Sequence, residues 1–214
     1  SKNCISNMDR YYSRNWSRST KTIGLMIKIG ILGDIGSGKS YVAKNFGYPV
    51  FNADEEVGRL YKKDRKIFNK LKKALPKYIY SFPINKNEIS KAILANEFNL
   101  KKIVKTVHLE VRKKMNIFLK KNIKRKIVIL DIPLLLENKI NKKKDILIFI
   151  QSDKLKVLQR LKKRKNSNLK LLNKFRKIQL PLDYKKKKSQ YIIKNNFTKR
   201  SIEKGVKVIL KEIL

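Results

Sequence analysis

Residues 33–40 read GDIGSGKS, and no other feature of the 214-residue chain restricts its fold so tightly. The pattern is G-x-x-x-x-G-K-S. Gly33, Gly36 and Gly38 allow backbone dihedrals closed to other residues and a close approach to phosphate oxygens. Successive N–H groups then face one concavity, and a helix starting near Lys39 adds its positive end. Lys39 is placed to reach the β- and γ-phosphates, and Ser40 offers a hydroxyl to Mg²⁺. The flanks separate this reading from an ordinary glycine-rich turn. MIKIGIL before the loop reads as a buried strand, and SYVAKNF after it as a short helix stopped by Gly47. Gly36, Ser37, Gly38, Lys39, Ser40 and Tyr41 are the expected nucleotide-binding set. Asp34 is an acid inside the loop. It weakens anion binding unless it points outward or pairs with a nearby Lys.

Further along, PVFNADE reads as a second short strand with a polar end. Asp64 can cap a helix carrying Ile67, Phe68, Leu71 and Leu75. Ile103, Val107, Val111, Met115, Phe118 and Leu119 form a long amphipathic stripe. IVILDI, DILIFIQ and YIIKN read as three more strands, and the text from Ser201 as a closing helix. Apolar β-branched strands alternating with amphipathic helices predict an α/β fold with a parallel sheet covered on both faces.

Three more positions carry candidate chemistry. Asp131 ends IVILDI, where an acid can hold Mg²⁺ through water; capping the next turn is the alternative. Asp54 follows the second strand. It is either a base for an attacking hydroxyl or a helix N-cap before Glu55 and Glu56. In the basic segment 159–164, Arg160 or Arg164 can close over ATP and stabilise the transferring phosphoryl group; a solvated face is the alternative.

Composition narrows the remaining classes. A hydrophobic content of 42% excludes a disordered polycation. Lys and Arg number 55 against 16 Asp and Glu, a formal net charge of +39. The excess is mostly Lys, travels with Ile and Asn, and is spread along the chain. That is the signature of A/T-rich coding, and no stacking motif or recognition helix points to specific nucleic-acid binding. The Lys runs at 142–144 and 185–188 are expected to be solvated. With one Cys and one His, internal disulfides and His-rich metal sites are excluded. The apolar runs are too short for a bilayer, so a cytoplasmic protein without membrane contact is expected, a monomer being favoured. Residues 1–25, polar and rich in Ser and Arg, read as a disordered basic tail, with a transit peptide as the alternative.

The order of these pieces resembles dephospho-CoA kinase over residues 26–214. The loop GDIGSGKS is followed by Asn52-Ala53-Asp54. His108 and Arg112 match a His-Pro-x-x-Arg motif, and Asp131-Ile132-Pro133-Leu134-Leu135-Leu136-Glu137 matches an acid-x-Pro-Leu-Leu-x-Glu motif. Gln159, Arg160, Leu161 and Arg164 partly match a lid motif, and Gln179, Lys185 or Lys186, and Asn195 complete the series. Asp34 stands where a second glycine is usual, Tyr41 where Thr is usual, Leu109 where Pro is usual, and Gln190 where Asp is usual. The resemblance implies a three-layer P-loop kinase sandwich with a helical acceptor-binding insertion, about 60–105, and a helical lid, about 153–184. It implies ATP- and Mg²⁺-dependent phosphorylation of the ribose 3′-hydroxyl of dephospho-CoA, the last step of coenzyme A synthesis. Asp54, Lys39 and Arg164 are then the expected catalytic residues. His108 and Arg112 are the expected acceptor contacts, and Ser40 and Asp131 the expected metal-site residues. Another small P-loop nucleoside or nucleotide kinase, a degraded enzyme, and a basic nucleic-acid-binding protein with a vestigial loop are the competing readings.

Overall fold

The structure, a computed structural model, describes residues 26–163 and 168–214. The N-terminal tail and Arg164 lie outside the described residues. In chain order, β1 (Ile27–Gly33) passes through the glycine-rich loop into α1 (Lys39–Asn45). β2 (Val50–Asn52) turns at once into α2 (Ala53–Lys63), followed by α3 (Arg65–Ala74), α4 (Lys86–Ala95) and α5 (Glu97–Lys121). Then come β3 (Ile127–Asp131), β4 (Ile146–Ser152), α6 (Lys154–Lys163), α7 (Leu169–Lys177), α8 (Leu182–Lys188), β5 (Tyr191–Asn195) and α9 (Lys199–Ile213).

The five strands among the described residues are all parallel, in the order β2-β3-β1-β4-β5. β1 is central. Its register sets Ile29 beside Ile129 of β3, and Ile31 beside Ile148 of β4. Side chains alternate across a strand, so these isoleucines share one face. There they pack under Val42 and Ala43 of α1 and Ile202, Val206 and Ile209 of α9. Leu32, Leu130 and Phe149 point the other way, into a core shared with the helices of residues 53–121. α5 is the spine of that helical group, with α2, α3 and α4 packed against it, and α7 rests on α4. The predicted stripe supplies its buried side: Ile103, Val107, Val111 and Met115 are all buried.

Capping explains where elements break. Asp64 accepts a hydrogen bond from Ile67 N at 3.0 Å and starts α3, as its position predicts. The second strand is shorter than PVFNADE. Asn52 Oδ1 accepts from Glu55 N at 2.9 Å, so Ala53, Asp54 and Glu55 are already the first turn of α2. The cap is Asn52, which leaves the Asp54 carboxylate free for other work.

Gly30 lies in the middle of β1 because the chain above it is close. A Cβ there would sit 2.5 Å from Leu135 Cδ2 and 2.9 Å from Leu147 Cδ2. Gly30→Val is expected to lose roughly 1–3 kcal/mol to overpacking, read as a lower urea midpoint at unchanged m-value.

Candidate active site

Parallel strands present their carboxyl ends along one edge, and the candidate residues gather there. Gly38 caps α1 in the left-handed region at φ 88°, which suits glycine. A Cβ on it would meet Asn195 Nδ2 at 2.6 Å. The loop is braced from two neighbouring strands. Ser152, at the end of β4, donates from Oγ to the Ser37 carbonyl at 3.0 Å, and Asn195, at the end of β5, donates from Nδ2 to the same oxygen at 2.8 Å. The two bonds fix the Ser37 carbonyl, and with it the turn that leads into α1. Asn195 entered the sequence reading through the resemblance; Ser152 did not, because a single Ser at a strand end carries no pattern.

Lys39 folds over the loop, donating to the carbonyls of Asp34 at 2.7 Å and Gly33 at 3.2 Å. Burial lowers its pKa. Asp131 opposes this, Lys185 adds to it, and Asp54 and Asp34 oppose it. Ser40 and Asp131 meet through Asn52, whose Nδ2 donates to Asp131 Oδ2 at 2.9 Å and lies 3.5 Å from Ser40 Oγ. Asp131 is buried. Desolvation raises its pKa, and the Ser40 hydroxyl and Lys39 pull it back. Asn52 thus caps α2 with its oxygen and bridges the two expected metal-site oxygens with its nitrogen. The sequence reading missed this second duty, which requires β2 and β3 to be neighbours in register, Asn52 beside Asp131.

Asp54 lines a cavity of about 460 Å³. Its carboxylate is open to the solvent of the cleft, but the surrounding protein strips enough water to raise its pKa; Asp131 adds to that and Lys39 opposes it. The cavity is mainly apolar, with Val57, Tyr61, Ile93, Val104 and Phe175 among its walls. His108 enters from α5. Its Nε2 is shut off from solvent and has no partner among the described residues. Desolvation, then Arg112 one turn on, lowers its pKa, which favours the neutral imidazole. Arg112 itself donates to the Asn138 carbonyl at 3.0 Å, tying α5 to the segment after β3. The structure therefore brings Lys39, Ser40, Asp131 and Asp54 to one place, with His108 deeper in the adjoining cavity. Tyr41 is half-exposed on α1. Arg160 stacks on Phe197, its Cζ 4.5 Å from the ring centroid, and Phe197 lies against the space beside Gly38.

A family model described as dephospho-CoA kinase matches residues 27–200. The chain belongs to that family. Its relatives include a dephospho-CoA kinase of Wolbachia pipientis wMel, 35% identical over 190 residues, covering 86% of this chain and 97% of that protein. One from Bartonella quintana is 29% identical over 191 residues, covering 87% and 97%. A crystal structure from Thermus thermophilus superposes with a TM-score of 0.72 at 25% identity, over 89% of this chain and all of the other. The dephospho-CoA kinase of Campylobacter jejuni shares the fold, with a TM-score of 0.58 at 19% identity, over 89% and 98%.

Within this member of the dephospho-CoA kinase family, the departures from the usual pattern have local explanations. Leu109 is exposed in the middle of α5, where a proline would disturb the helix and Leu does not. Gln190 exchanges hydrogen bonds with Leu147, its Oε1 accepting at 2.7 Å, and so extends the β4–β5 pairing by one residue. One expectation is overturned. The run 185–188 is not wholly solvated: Lys185 is 1% exposed. Its Nζ lies 2.8 Å from Glu137 Oε1 and donates to Gln179 Oε1 at 2.9 Å. Glu137 also accepts from Leu180 N at 2.9 Å. A run of four lysines conceals which one faces inward, since it spans about one helical turn and α8 buries Lys185 alone. The pair fastens the segment after β3 to α8.

Removing one partner of a buried ion pair strands the other charge. Lys185→Ala is expected to lose about 3–5 kcal/mol of stability, whereas exposed Lys187→Ala changes it by less than about 0.5 kcal/mol, both read by urea denaturation.

Proposed function

We propose that this chain transfers the γ-phosphate of ATP to the ribose 3′-hydroxyl of dephospho-CoA, giving coenzyme A and ADP, with Asp54 as the base. The observation that carries the assignment of roles is the position of Asp54. It stands between the phosphate-binding loop and an apolar cavity, so one side chain faces both a phosphate donor and an acceptor.

The loop amides, the start of α1 and Lys39 receive the triphosphate. The fit of Mg²⁺ follows from the donor chemistry. Asp131 and Ser40 present oxygens close enough to share one amide group, and Mg²⁺ characteristically takes one or two protein oxygens with the rest from phosphate and water. No group of three or more His, Cys, Asp or Glu converges among the described residues, which is compatible with that mode. When bound there, Mg²⁺ neutralises charge on the transferring phosphoryl group. The cavity suits a long, mainly apolar arm reaching away from the reacting ribose, and the unpartnered Nε2 of His108 offers it a polar contact. The Asp54 carboxylate accepts the 3′-hydroxyl proton as the new O–P bond forms and ADP leaves. Arg164 belongs to this proposal as the lid cation; Arg160, pinned on Phe197, belongs to it at the nucleotide end. His108 and Arg112 border the acceptor side. No helix among the described residues is long and apolar enough to cross a membrane.

The test is ADP release with ATP and Mg²⁺, offering dephospho-CoA, adenosine or AMP separately. Turnover is expected with dephospho-CoA. It should disappear in Lys39→Ala and fall by about 10²–10⁴-fold in kcat in Asp54→Asn. Turnover with adenosine or AMP instead would remove the acceptor assignment.

The pH profile follows from the same carboxylate. A base must be ionised, and the folded pKa of Asp54 is raised by desolvation first and by Asp131 second. Activity is therefore expected to fall, as pH drops, through a value above the ordinary Asp value of 3.8. That acid limb should be absent from the residual rate of Asp54→Asn.

A further inference from the structure

The acid inside the phosphate-binding loop is not free. Asp34 Oδ1 accepts from Ile35 N at 2.6 Å, which fixes the carboxylate against the loop backbone. Its two oxygens then meet one guanidinium across 142 residues of chain: Arg176 Nε lies 3.4 Å from Oδ1 and Nη2 lies 3.4 Å from Oδ2. Both side chains are only partly exposed, at 36% and 26%. Arg176 sits on α7, so the lid touches the loop at two points. The other is apolar: α6 lies over Gly36, where an added Cβ would come within 3.1 Å of Leu161 and 3.2 Å of Val157.

We propose that Arg176 masks the charge of Asp34, so that the lid must lie on the loop for the loop to accept a triphosphate. The inference rests on the nucleotide-binding reading of the loop. An uncovered carboxylate one residue from the loop's first glycine repels the incoming phosphates. It also competes for Lys39, which already feels the charge of Asp34 and holds its backbone carbonyl at 2.7 Å. A two-pronged guanidinium cancels that field at its source. A glycine at position 34 would need no such partner. The acid and the arginine therefore work as a pair, and Arg176 is a positioning residue that acts through Asp34 rather than on phosphate.

The discriminating experiment compares wild type, Arg176→Ala, Asp34→Asn and the double variant Asp34→Asn/Arg176→Ala. Binding of ATP with Mg²⁺ is measured by titration calorimetry, KM for ATP and kcat with dephospho-CoA as acceptor, and thermal midpoints as a check on folding. Arg176→Ala is expected to raise the ATP dissociation constant and KM by about tenfold or more, the scale of a like charge about 10 Å away at reduced dielectric, with a smaller change in kcat. That deficit should shrink as salt is raised. Adding Asp34→Asn should restore most of the affinity, because the charge that needed masking is gone. A double variant as weak as Arg176→Ala would overturn the proposal and assign Arg176 to direct phosphate contact. Equal losses in both single variants that track their thermal midpoints would overturn it in favour of a purely structural bridge. Wild type that binds no ATP would instead sink the nucleotide-binding reading on which it rests.

Discussion

Everything at this site depends on the parallel pairing of β1 with its two neighbours. β1 is bonded to β3 from Ile27 to Gly30 and to β4 from Ile29 to Gly33. Because all the strands run the same way, their carboxyl ends reach one edge together. The glycine-rich loop leaves β1 there, Asp131 ends β3 there, and Asn52, Ser152 and Asn195 end β2, β4 and β5 there. β2, β3, β4 and β5 thus touch or brace the loop and the oxygens of Ser40 and Asp131 through side-chain bonds. The isoleucine layer beneath, under α1 and α9, holds the strands in register and so holds the site.

The electrostatics of that edge are those of scarce acids in a basic chain. With 55 Lys and Arg against 16 Asp and Glu, an exposed cation has little meaning by position, while each acid at the site has an identifiable partner. Asp131 meets Asn52, Glu137 meets Lys185, Asp34 meets Arg176, and Asp54 feels Asp131 and Lys39. Desolvation dominates the shifts of Lys39, Asp54 and Asp131, pushing the first down and the other two up. Each shift favours the neutral form in the open cleft. The proposed phosphate and divalent cation would supply the charges that are missing: the anion would favour charged Lys39, and the cation ionised Asp131. The site is electrostatically complementary to what it is proposed to bind rather than to solvent.

Much of this was legible before any coordinates. The strand-loop-helix around GDIGSGKS, the cap at Asp64, the buried stripe of α5 and the strand ending in Asp131 all stand where local pattern puts them. They are legible because each is determined by neighbours within a few residues: strand and helix periodicities, a capping side chain, glycines at one turn. The sequence left Asp54 open between base and cap; Asn52 takes the cap, which removes that alternative, and the role of base is the one proposed above. The departures at Leu109 and Gln190 proved to be ordinary helix and sheet-edge positions.

The sequence by itself determined the parallel α/β class, the phosphate-binding loop and, through the order of its motifs, the family. Only the tertiary structure decided which lysine of the run 185–188 is buried, that Asn52 joins Asp131 to Ser40, that Ser152 and Asn195 share one loop carbonyl, and that Arg176 answers Asp34. Those facts join residues between 6 and 158 positions apart. Most depend on strand order and on how α7 and α8 pack against the rest of the fold. Local periodicity carries no record of either, because they come from how whole elements pack.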